Sequence, residues 1–192
     1  MSGTADIYTQ TSLQPGKLEL LAPWLQQQDW FEGDAADLER VGNFRFVDPD
    51  GEVGLDSMLL ASGGRVYHVP VTWRGAELAE GELIGTLEHG VLGTRWCYDA
   101  PTDPVYVAEL VRVIREGDTG AAMLNVEGQE PMPENTVVAG SGVVPGVDAQ
   151  GQVRLIRVLD AEHQDTHAAR GVLTATWTYE GTEREDVLAV LR

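Results

Sequence analysis

Residues Leu83–Tyr106 read LIGTLEHGVLGTRWCYDAPTDPVY, and the two halves of that stretch ask for different structures. In the first half Gly85, Gly90 and Gly93 break up an otherwise apolar run over Ile84–Tyr98, which predicts two short strands. In the second half Asp103 is a good helix N-cap and Pro104 sits where a first-turn proline belongs. The helix they open runs to Glu116 and stops at Gly117, a residue suited to the left-handed cap. Tyr106, Leu110, Val113 and Ile114 share one stripe of it, so they should be buried, with Glu109, Arg112 and Glu116 facing solvent.

Upstream, Lys17–Trp30 has helical spacing, with Leu18, Leu21, Trp24 and Leu25 near one stripe and Gly33 as a stop. Pro23 should either end a short first turn or open the main helix, because proline lacks the donor that a helix interior needs. Phe44 and Phe46 alternate, Asp48-Pro49-Asp50-Gly51 supplies turn chemistry, and Val53, Leu55 and Leu59 continue one face of the next strand. After Gly63-Gly64, Tyr67, Val69, Val71 and Trp73 line one face with period two, and Pro70 suggests an edge or a bulge. Ala76–Gly81 reads as a loop, and an antiparallel meander is the simplest topology.

Residues 1–16 are expected to be a loose polar lead-in, residues 17–117 one domain, and residues 118–192 a β-rich extension, possible as part of the same domain. In that extension Val153–Leu159, Val172–Tyr179 and Arg184–Leu191 read as strands, the last two as a hairpin about Glu180-Gly181-Thr182. The stretch 118–151, rich in glycine and proline, shows no strand signal.

Thirteen basic and 31 acidic residues give a net charge of −18, a field that repels phosphate backbones and anionic lipid surfaces. Nucleic acid and membrane are therefore not expected as partners. A single cysteine, Cys97, excludes an intramolecular disulfide framework and a multi-cysteine zinc site. The opening Met1–Asp6 has neither the basic stretch nor the apolar core of a signal peptide, and no apolar run reaches membrane-spanning length, so the cytoplasm is the expected location.

Three stretches together resemble one family: Trp24–Phe31 (WLQQQDWF), Tyr67–Ala76 (YHVPVTWRGA) and the Leu83–Tyr106 segment quoted above. They are similar to the N-terminal cap of maltokinase-type sugar kinases over roughly residues 17–117, most clearly over 65–108. The resemblance implies an α+β fold, a curved antiparallel sheet with two packed helices likened to cystatin. It also implies a non-catalytic role in interaction or regulation, with a sugar kinase or another trehalose or α-glucan enzyme as partner. One departure concerns charge. Asp29 and Asp34 stand where caps of true kinases tend to carry basic residues, so any contact relying on those cations is lost or reversed.

Catalytic chemistry is not legible. The chain's one lysine, Lys17, lies in a helix, and no GxxxxGK loop or Gly-x-Ser-x-Gly elbow occurs. No cofactor or metal is expected. Gly140-Ser141-Gly142 has part of a nucleotide-loop spacing and reads as a flexible turn. His163 and His167, four apart, have metal-ligand spacing but no evident third ligand, so a solvated loop is expected. Glu88 and His89, adjacent on a strand, face opposite sides and cannot share a pocket unless a bulge intervenes. Trp24, Trp30, Trp73 and Trp96, with His89, are the candidates for an interface or ligand contact, since flat aromatic faces suit sugar rings and interfaces alike. Core packing is the competing role for the tryptophans. A saccharide-binding protein is the alternative function, and a metal-dependent enzyme the least supported.

Overall fold

The computed structural model describes residues 3–143, 152–159 and 166–192. Its frame is a curled six-stranded antiparallel sheet, a half-barrel, built mainly from β3 (Glu39–Val47), β4 (Gly54–Ser62), β5 (Arg65–Arg74), β6 (Leu83–His89) and β7 (Gly93–Asp99). Asp48 closes the β3–β4 turn by accepting N–H groups of Asp50, Glu52 and Val53. Gly63 and Gly64, at φ 59° and 77°, close the β4–β5 hairpin, where two successive left-handed residues match the twist of the strands.

The meander expectation holds through β5 and then fails. β5 pairs with β7, and β6 lies beyond β7, next to β2 (Leu13–Gln14). The loop after Arg74 carries the chain past one strand position, so the hairpin returns with its second strand innermost. Pro70 sits at no bulge, since β4 and β5 stay in register from Gly54↔Trp73 to Ser62↔Arg65, but its other side is a local open edge. β7 reaches only Val71, while Arg157 and Leu159 bond to the other half of β5, through His68 N–H and Val66 O. Pro70 has the parity of His68, so its missing donor faces the gap between those two partners, where nothing requires it.

Both faces of the sheet are covered over most of their area. On one, Met58, Tyr67, Val69, Val71 and Cys97 pack under α1 (Lys17–Leu25). On the other, Phe44, Phe46, Leu55 and Leu59 pack against α2 (Pro104–Glu116) and a four-stranded sheet. That second sheet contains β10 (Thr136–Gly140), β11 (Val153–Leu155), β12 (Gly171–Tyr179) and β13 (Thr182–Leu191), and its Leu173, Trp177 and Leu188 belong to the same apolar cluster. Double coverage explains why β4 and β5 are buried along almost their whole length and not on alternate residues. The β12–β13 turn is the expected one, with Glu180 and Gly181 at φ 49° and 76°.

Other expectations need correction. α1 runs through Pro23 and ends two residues later, at Leu25; proline neither opens it nor stops it at once. Glu109 is buried, because the Arg112 guanidinium grips both its oxygens at 2.9 and 2.8 Å. The lead-in contributes β1 (Thr4–Ile7) and β2, and β1 pairs in parallel with β8 (Ala122–Asn125), itself paired with β9 (Glu130–Pro131). Gly140 and Gly142 are structural: a Cβ at Gly140 would lie 2.0 Å from the Val113 carbonyl oxygen, and Gly142 and Val143 donate to the Ile114 and Arg115 carbonyls. The Gly-x-Gly therefore caps the C-terminus of α2, spending the N–H groups that a phosphate loop would need.

Candidate functional site

Where α1 leaves the curled sheet uncovered, a cavity of about 960 Å³ opens between the start of α1, β1, the β3–β4 turn and the tip of the β6–β7 hairpin. Its floor is a charged knot. Strand alternation puts Phe44 and Phe46 on the α2 side, so Arg45 projects to the cavity side, opposite Asp56 on β4. Asp56 Oδ2 accepts Lys17 Nζ at 2.5 Å, Trp73 Nε1 at 3.4 Å and Arg45 Nη2 at 3.5 Å. Lys17 Nζ also stands 5.3 Å from the centroid of the Trp73 ring.

The environment sets the charges. Burial alone would raise the Asp56 carboxyl, but Lys17 and Arg45 overcome it and hold the group well below the usual carboxylate range. Burial pulls the Lys17 ammonium below its usual value, against the pull of Asp56. At the hairpin tip His89 Nδ1 accepts the N–H groups of Val91 and Leu92 at 3.2 and 3.1 Å, which leaves its proton on Nε2. Burial, then Arg95, lowers its basicity, so the neutral ring is favoured.

The five sequence candidates do not form one site. Trp73 and His89 line the cavity. Trp24 and Trp30 pack edge-on at 5.9 Å beneath α1, Trp24 donating to Glu82 and Trp30 lying under Arg157 and beside Tyr67. Trp96, one residue before Cys97, faces the other side of β7 beside Arg74 and Thr86. There is thus no shared aromatic platform. Cys97 is fully buried, and burial raises its thiol, so it is an inert packed group. His68 is also buried, stacked on Phe44, and the backbone of Ile156 and Leu188 lies within interaction range of its ring. Asp103 is the N-cap expected of it, and it also receives Thr72 and both Arg74 donors. Glu88 bonds Thr94 outside the cavity lining. His163 lies outside the described residues, and among those described no three potential ligands cluster to hold a metal.

Sequence reasoning missed Arg40, Arg45, Asp56 and Arg95, and saw Lys17 only as an absent kinase lysine. One signal was available: Arg45 between two core phenylalanines had to face the other side of a sheet, and Asp56 lay in the next strand.

Residues 24–103 match the family model described as the maltokinase N-terminal cap domain. The matched segment runs from late α1 to the N-cap of α2 and so contains the whole β3–β7 frame. No curated protein and no solved structure matches the chain. No helix among the described residues is long and apolar enough to cross a membrane.

Proposed function

From the cap-domain match over residues 24–103, we propose that the chain is a non-catalytic regulatory module of sugar-kinase, trehalose or α-glucan metabolism, acting in the cytoplasm by binding a small molecule in the half-barrel cavity. The observation that carries this reading is the cavity itself. Its volume of about 960 Å³ suits a metabolite-sized ligand, and its floor has donors fixed by mutual bonds and not free to collapse. A ligand at about 100 times its dissociation constant adds about 2.7 kcal/mol to stability. Melting curves of the full chain with glucose, maltose, trehalose and their charged derivatives therefore test it. At least one should raise the melting temperature by several degrees; a curve unmoved by all of them refutes cavity binding.

A second reading, docking on a partner enzyme, finds support at the hairpin tip. Val91 and Leu92, at the tip of the β6–β7 hairpin, are 60% and 42% exposed, and Leu92 also lines the cavity. Val91→Asp should abolish co-elution with a sugar kinase if the tip is the contact, and co-elution at wild-type level would eliminate it.

A further inference from the structure

The cavity's charge arrangement goes further than its size. We propose that its ligand is a small organic anion, a phosphate monoester or a carboxylate, held by Arg40, Arg45, Arg95, Lys17 and His89. This rests on the ligand-binding reading above and names the ligand class.

At the floor of the cavity the cations outnumber the carboxylates. Asp56 is shared by Lys17 and Arg45, one negative charge against two positive. Asp48 spends its oxygens on its own turn, and Glu19 accepts the N–H of Gly16. Asp6 and Glu52 stand exposed at the rim. Arg40 makes no ion pair or hydrogen bond among the described residues, and it lies close enough to Lys17 to disfavour the ammonium. Arg95 gives Nη2 to the Leu92 carbonyl at 2.7 Å, while its Nε is buried without a partner. The lining as a whole sets four carboxylates, Asp6, Glu19, Asp48 and Glu52, beside its four cations, so the positive excess is local to the floor, where Lys17 and Arg45 share Asp56.

Hydrogen-bond polarity separates an anion from a neutral sugar. Guanidinium and ammonium groups only donate, and the His89 Nε2–H donates too. A sugar hydroxyl is best met by donors and acceptors together, whereas phosphate and carboxylate oxygens accept only. The apolar surface that would stack a pyranose, the Trp73 face, is covered by Lys17. The cationic floor suits an acceptor-only head group, and the rim, which also carries acceptors such as Glu19 and Glu52, leaves room for a hydroxylated organic body behind it.

Calorimetric titration of the full chain with glucose, gluconate and glucose 6-phosphate varies one substituent on a common body. The expected result is binding of gluconate or glucose 6-phosphate at least tenfold tighter than glucose, the better of the two identifying the head group. Arg40→Gln, an exposed and unpaired residue, should weaken that binding by about tenfold or more while leaving the melting temperature of the free protein unchanged. Arg95→Gln should act in the same direction. Glucose or maltose binding as tightly as the anions overturns the anion assignment and leaves the ligand-binding reading standing. No binding by any probe at about 10 mM overturns both. Equal affinity in wild type and both arginine variants overturns the placement of the anion in this cavity.

Discussion

Replacing His68 with leucine should remove much of the acid sensitivity that the fold has below about pH 6.5. The ring is fully buried against Phe44, and burial, then the nearby Arg157 charge, pushes its pKa from 6.5 down to about 3. Between those values the unfolded chain binds a proton that the native state refuses, so stability falls as pH falls, by about 1.4 kcal/mol per unit. At about pH 4.5, two units into that window, the loss from this one imidazole is about 2.7 kcal/mol. His89, whose basicity is also lowered, acts in the same direction but is common to both proteins. Asp56 and Asp103 are depressed below their ordinary 3.8, so their stabilisation is still present at that pH and is lost only as pH falls further. Asp99, held up by burial against the pull of Arg157, works in the opposite direction and is common to both proteins. Urea unfolding followed by tryptophan fluorescence, at about pH 7 and about pH 4.5, gives the comparison directly. The wild type should lose about 2.7 kcal/mol more than His68→Leu on acidification. At neutral pH the neutral imidazole and leucine are both uncharged in this buried position, so the comparison rests on the change between the two pH values and not on the absolute stability of either protein. Equal losses in the two proteins would refute the reasoning.

Two further substitutions probe the frame. Asp103→Ala removes a fully buried carboxylate that receives Thr72, Arg74 and the first turn of α2, so it should cost about 3–5 kcal/mol, read as a fall in melting temperature of roughly 10 °C; a fall of a degree or less would mean that Arg74 finds another partner. Gly140→Ala puts a Cβ 2.0 Å from the Val113 oxygen, so it should cost about 1–3 kcal/mol or more and speed amide exchange at Gly142 and Val143, whose N–H groups cap α2. Unchanged exchange would show that the clamp is not needed.

Local chemistry made the cap half of the fold legible. Asp103-Pro104 and Gly117 bound α2 within a residue, Gly63-Gly64 and Glu180-Gly181 mark hairpins, and period two picks out Tyr67, Val69, Val71 and Trp73. What escaped notice depends on long-range pairing. β8, β9 and β10 are short, and β10 exists because it adds to the edge of β12, 37 residues or so downstream, roughly the reach of a whole supersecondary unit. β1 is four residues long, with only Ala5 and Ile7 apolar, and it pairs in parallel with a strand more than 100 residues away, so it leaves little trace in the sequence. The swap of β6 and β7 is set by a loop, and loop direction has no residue-level signature.

The cavity was harder to read for a different reason. Its floor joins residues from α1, β3, β4 and β5, each unremarkable in its own segment: a lysine in a helix, an arginine and an aspartate on strands, a tryptophan on a core face. Physical cost is what distinguishes them once they are together. Met58, Val69 and Val71 fill the neighbouring positions on the same sheet face with apolar groups, and a buried ion pair is often no more stable than such a filling. Stability therefore gives little reason to hold Lys17, Asp56 and Arg45 at this point. A binding role does give one, because two cations on a single carboxylate leave a fixed positive excess at the floor of a cavity, where an anion's charge would be met by donors already in place. On that account Lys17→Met combined with Asp56→Leu should fold about as stably as the wild type yet lose anion binding, separating the cost of the knot from its use. A double variant that unfolds would instead place the knot among the fold's supports.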